Sequence, residues 1–195
     1  MRLLKSLLQS LVLVVSFLAL ITTYAGLEPA TQLAFQSKNI PGIGKVYQIA
    51  TMEGSIYIAA GKPTISGLRQ LRKLKIKTYI NLLPQNEALS FDEATTAKKL
   101  GMKYIHIPVD LANFNVETIK QFNKAIYPPK GYPIFIHCKT GNRAAMMIAF
   151  NNITEFHAAP KAAIDEAKNY GLTSPEVARF IEKTVKQFNL GKTNS

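Results

Sequence analysis

The sequence predicts an α/β fold: a single domain built on a central, mainly parallel sheet flanked by helices. Three observations point there. From residue 65 onward, stretches with helical spacing of apolar residues alternate with short apolar runs, the pattern of a parallel sheet covered on both faces. The 195 residues are 47% hydrophobic and 18% charged, enough to bury one core and too apolar for wholesale disorder. The most apolar run, residues 132–137, leads directly into a short loop holding the chain's one cysteine, with a helical stretch behind it. Open α/β sheets bind ligands at such strand ends.

The elements follow in order. Arg2 and Lys5 precede an uncharged stretch over 7–22, and Thr23-Tyr24-Ala25 offers small residues for cleavage before Gly26. Residues 1–25 therefore read as a signal peptide, and the expected location is exported, periplasmic or secreted. An uncleaved segment would instead anchor the domain beside a membrane. Residues 26–44 read as an irregular lead-in, 45–190 as the domain and 191–195 as a flexible tail.

Within the domain, 46–49 and 56–59 read as short strands joined by a turn at 52–55. Thr64 is placed to cap a helix over 65–74, whose Ile65, Leu68, Leu71 and Leu74 share a face. A buried strand is expected over 76–83. Ser90-Phe91-Asp92-Glu93 has the form of a capping box opening a helix that Gly101 ends. A strand over 103–109, a loop over 110–115 and a helix capped by Asn115 come next, and Pro128 and Pro129 stop that helix. After the strand at 132–137, helices are expected over 143–151, 159–170 and 174–188, the last with Pro175 in its first turn.

Lys and Arg number 24 against 12 Asp and Glu, a net charge of +12. That balance favours anionic partners: phosphorylated substrates or lipid headgroups. The lysines are scattered without a basic run, and no nucleic-acid signature accompanies them, so no nucleic-acid partner is expected. His106 and His157 lack companions at metal-ligand spacing and read as structural or surface residues. No metal or cofactor is expected.

Cys138 is the only thiol, so no disulfide can form within the chain. Behind it, the backbone N–H groups of Lys139, Thr140, Gly141, Asn142 and Arg143 can turn inward as a nest beside a helix amino terminus, a place for an anion. The same field favours the thiolate over the thiol. Gly141 suits a loop that must approach its ligand closely, and the fork of Arg143 matches two oxygens of a phosphate.

His137-Cys138-x-x-Gly141 followed by Arg143, between an apolar strand and a helix, resembles the phosphate loop of the cysteine-dependent protein tyrosine and dual-specificity phosphatases. Upstream, Thr78-Tyr79-Ile80-Asn81-Leu82, then Glu87, then 97–109 and the helix to Tyr127 resemble a bacterial branch that includes the phosphatase-like domain of β-lactamase hydrolase-like proteins. The resemblance spans residues 45–155. It implies a phosphatase-type fold and a phosphoric monoester hydrolase acting through a cysteinyl-phosphate on a phosphorylated protein, lipid or small molecule. Cys138 would be the nucleophile, and Arg143 with residues 139–142 would bind the phosphate. His137 would support the loop, and Asp110 lies in the region that supplies the general acid.

Two features depart from the common pattern. Four residues, not five, separate Cys138 from Arg143, and Ala144 stands where a hydroxyl residue usually follows the arginine. The short loop is also that of rhodanese-type sulfurtransferases, in which Cys138 would carry a persulfide, although their upstream motifs are absent. A non-catalytic phosphate-binding module is the third reading.

Overall fold

The structure is a computed structural model that describes residues 36–127 and 130–191. The expected signal peptide, the first part of the lead-in and the tail beyond Gly191 lie outside the described residues. Among the described residues six strands form one sheet: β1 (Gln36–Ile40), β2 (Gly44–Ala50), β3 (Ser55–Ala59), β4 (Thr78–Asn81), β5 (Lys103–His106) and β6 (Ile134–His137). Their order is β1-β2-β3-β6-β4-β5, with β3, β6, β4 and β5 mutually parallel and β1 and β2 added antiparallel at one edge. The expected α/β architecture is therefore present. One difference is β1, which occupies part of the expected lead-in. It is exposed except at Ile40, so it lacks the alternation that marks a strand in sequence.

Among the described residues six helices cover the sheet: α1 (Ile65–Lys73), α2 (Glu93–Lys99), α3 (Val116–Ile126), α4 (Asn142–Glu155), α5 (Pro160–Lys168) and α6 (Pro175–Phe188). Successive strand residues face opposite layers. Ile56, Ile58, Ile80, Ile134 and Ile136 join the core beneath α3 to α6, while Tyr57, Ala59, Tyr79 and Phe135 join the core beneath α1 and α2. Both faces of the sheet are thus buried, which is why its parallel strands read as continuous apolar runs.

The helix starts show why the chain turns where it does. The side chains of Thr64, Asn115 and Ser174 each accept the N–H three residues on, as their types predict. At α2 the expected capping box gives way to a simpler cap: Asp92 Oδ1 accepts the Thr95 N–H at 2.9 Å, and Glu93 turns into the protein instead. Gly101, with φ +81°, follows the last turn of α2 as expected. Among the described residues no helix is long and apolar enough to cross a membrane.

Candidate active site

β6 is buried on every residue and lies between β3 and β4, with His137 in register with Ala59 on one side and Asn81 on the other. The chain therefore leaves the middle of the sheet at Cys138, which is 1% exposed. Gly141 then takes φ +87° as the residue preceding α4, and its N–H donates to Cys138 Sγ at 3.2 Å. A Cβ at Gly141 would stand 3.2 Å from Ala60 Cα, so both the dihedral and the space call for glycine. The first bond of α4 runs from the Ala145 N–H to the Gly141 carbonyl at 3.0 Å. The amides of Asn142, Arg143 and Ala144 precede that bond and have no acceptor within the helix. Thiol, loop amides and helix amino terminus thus converge on one point suited to an anion.

Arg143 is held by two parallel bonds, Nη1 to Glu87 Oε2 at 2.9 Å and Nη2 to Glu87 Oε1 at 2.5 Å. These bonds hold Glu87 below the ordinary carboxylate range, with smaller pulls from the charges of Lys139 and Lys62. The same bonds raise Arg143 further above the ordinary arginine value. The fork is therefore oriented before any substrate arrives. Glu87 sits in a single turn of 3₁₀ helix, Gln85–Glu87, that Lys62 anchors by donating to the Glu87 carbonyl at 2.6 Å.

Asp110 is exposed at the end of the segment that follows β5. Its carboxylate accepts the Asn113 side-chain amide at 2.7 Å and the Ala112 N–H at 3.0 Å. Those bonds, with a smaller contribution from Arg143, hold it below the ordinary aspartate range. Asp110 is within electrostatic reach of Arg143, and in this arrangement it is an ionised turn former.

The loop rests on a buried polar cluster. His137 is fully buried, and its Nε2 lies 2.7 Å from Glu93 Oε1. The two atoms do not meet the geometry of a hydrogen bond. Tyr79 donates its hydroxyl to Glu93 Oε1, and Asn81 Nδ2 donates to Glu93 Oε2 at 2.7 Å. Asn81 also donates to the Tyr104 hydroxyl at 3.0 Å and accepts the Leu83 N–H at 2.7 Å. Burial, followed by the charge of Glu93, pushes the Tyr79 hydroxyl well above its ordinary value, so Tyr79 stays a donor. Sequence reasoning placed His137 beneath the loop but missed its acidic neighbour. By type Glu93 suits a helix start, and only its burial, beside fully buried Ala97 four residues on, shows that it turns inward.

The Asn142 side chain is committed within the protein: its Nδ2 donates to the Thr140 and Thr173 hydroxyls, both at 3.2 Å. Its Oδ1 accepts the N–H groups of Thr173 and Ser174, both at 2.8 Å, and ties the loop to the α5–α6 connection. Lys139 and Thr140 are exposed at the mouth. No sequence signal marked the contact with Thr173.

Residues 36–183 match the model of the family described as DSP-PTPase phosphatase fused to NAD+ kinase. The chain belongs to this family. This match bears out the resemblance to the phosphatases read from residues 45–155. The β-lactamase hydrolase-like protein of Xylella fastidiosa is 26% identical over 100 residues, which is 49% of this chain and 23% of that protein. The chain thus spans less than a quarter of the length of that curated relative. Among solved structures, P. aeruginosa TpbA in complex with pTyr superposes with a TM-score of 0.59 at 17% identity, covering 80% of this chain and 91% of that one. The core catalytic domain of the PP-IP phosphatase SIW14 from S. cerevisiae gives 0.52 at 20% identity, covering 69% and 88%. At such identities these structures establish the fold.

Proposed function

We propose that the chain hydrolyses phosphoric monoesters through a cysteinyl-phosphate on Cys138. One observation carries the reading. Cys138 Sγ accepts the Gly141 N–H at the amino terminus of α4, and Glu87 pre-orients the Arg143 fork at the same loop. In the first step the Cys138 thiolate attacks phosphorus, forming an S–P bond and breaking the P–O bond to the leaving group. The loop amides and Arg143 stabilise the oxygens whose charge is redistributed in the transition state. Asp110 would first have to leave Ala112 and Asn113 and take up a proton from solvent; it would then give that proton to the departing oxygen and accept one from the water that breaks the S–P bond. With the leader read from residues 1–25, this chemistry would take place outside the cytoplasm.

Asp110 is committed to Ala112 and Asn113, and this favours a second reading in which the loop binds phosphate without turning it over. Hydrolysis of p-nitrophenyl phosphate under reducing conditions separates the two. Turnover that vanadate blocks and Cys138→Ser abolishes supports the esterase. Vanadate binding without turnover supports the binding module.

A further inference from the structure

The turn after β3 lies against the phosphate loop, since a Cβ on Gly141 would stand 3.2 Å from Ala60 Cα. Two residues further on, half-buried Lys62 reaches the Glu87 carbonyl at 2.6 Å. The Glu87 carboxylate is already committed to Arg143 by two bonds. Lys62 and Arg143 are therefore fixed about one glutamate side chain apart, one on the backbone oxygen and the other on the carboxylate. Among the described residues Lys62 forms no ion pair. The five ion pairs there use His137, Arg143, Lys161, Lys168 and Arg179.

An ammonium has three N–H donors, and the Glu87 carbonyl takes one. Two donors remain beside the site, with a positive charge that the Glu87 carboxylate, bonded to Arg143, offsets only in part. The carbonyl that anchors Lys62 keeps its long side chain from swinging into solvent, which lowers the entropic cost of using that charge. A phosphate bound by Arg143 and the loop amides does not use it.

We propose that Lys62 binds a second phosphate on the substrate, adjacent to the ester being cleaved, and selects bisphosphorylated over monophosphorylated compounds. The proposal rests on the loop Cys138 to Arg143 being the site of the first phosphate. The recognised chemistry is a pair of neighbouring phosphates, which a soluble polyol or a lipid headgroup could present.

The test measures binding in the Cys138→Ser chain, so it does not depend on turnover. Titration calorimetry compares inositol bisphosphate, with phosphates on adjacent carbons, against inositol monophosphate. The same pair is then offered as phosphatidylinositol phosphates in phosphatidylcholine vesicles. We expect the bisphosphate to bind about tenfold tighter, Lys62→Met to erase that ratio, and Lys62→Arg to keep it. Tighter binding on vesicles assigns the pair to a headgroup, and binding to the soluble compound alone assigns it to a small molecule. Equal affinity for mono- and bisphosphate overturns the proposal. So does an equal loss for both in Lys62→Met, which would make Lys62 only a latch for the Glu87 turn. Turnover of p-nitrophenyl phosphate by the unaltered chain, run in parallel, judges the esterase reading separately.

Discussion

Replacing Glu93 by alanine removes the centre of the buried cluster beneath the loop. The substitution strands the Tyr79 hydroxyl and one hydrogen of the Asn81 amide, and it leaves His137 without its neighbouring charge. A stranded buried donor costs about 1–3 kcal/mol, so the two donors together set an upper limit of about 6 kcal/mol. Water relieves part of this. Glu93 lines a cavity of about 270 Å³ together with Asn81, Tyr104 and His106, and a cavity that size admits water to replacement contacts. The expected loss is therefore about 3 kcal/mol, at the low end for breaking a buried pair. For a chain of this length that corresponds to a melting temperature lower by roughly 6–12 °C. Glu93→Gln keeps an acceptor oxygen and should lose only about 1 kcal/mol. Urea unfolding followed by circular dichroism measures both. If Tyr79→Phe is added, the double variant should lose less than the sum of the singles, because the two share one bond. A loss under about 1 kcal/mol for Glu93→Ala would refute the reasoning, since it would mean that the cluster is solvated or unneeded.

Three further outcomes follow from the site. Gly141→Ala places a side chain at φ +87° and a Cβ 3.2 Å from Ala60 Cα. It should cost about 1–2 kcal/mol and lower kcat/KM at least about tenfold by displacing the loop, both read from one preparation by unfolding and by p-nitrophenyl phosphate hydrolysis. Glu87 titrates below its ordinary value of 4.5 because Arg143 bonds to it. The pair's contribution to stability is thus complete above that value and is lost as pH falls through the lowered one. Glu87→Gln should flatten the acid limb of a plot of stability against pH, and an unchanged limb would show that the pair contributes nothing. Asp110→Asn should depress turnover most for poor leaving groups. A uniform effect across a series of aryl phosphates would remove Asp110 from the acid role.

The parts of the fold carried by apolar periodicity were legible in the sequence. Ile134 to His137 announced a central strand because neighbours cover it on both faces, and Thr64, Asn115 and Pro175 marked helix starts through local chemistry alone. Strand β1 was not legible, because an exposed edge strand is held by backbone bonds to β2 that leave no pattern in side-chain type. Strand ends were also overestimated. Residues 107–109 continue as buried apolar chain, as Ile107 and Val109 show. The Ile107 N–H still donates to the Asn81 carbonyl, but the paired register of β4 and β5 ends at Asn81 and His106. In the site, the loop from His137 to Arg143 could be read because its residues are contiguous. The residues that position it come from distant segments. Glu87 meets Arg143 across 56 residues and Asn142 meets Thr173 across 31, and such pairings exist only once the sheet has formed. Glu93 shows the harder case: as a type it suits a helix start, and only burial reveals that it turns inward.

The central claim is that phosphate passes through Cys138. The most direct measurement is to mix the chain with p-nitrophenyl phosphate, quench in acid within the first turnover, and map the peptides by mass spectrometry. The account predicts one added phosphoryl group, carried by Cys138 and absent from Cys138→Ser. A chain that releases nitrophenol while Cys138 remains unmodified, or while another residue such as His137 carries the phosphoryl group, would contradict it.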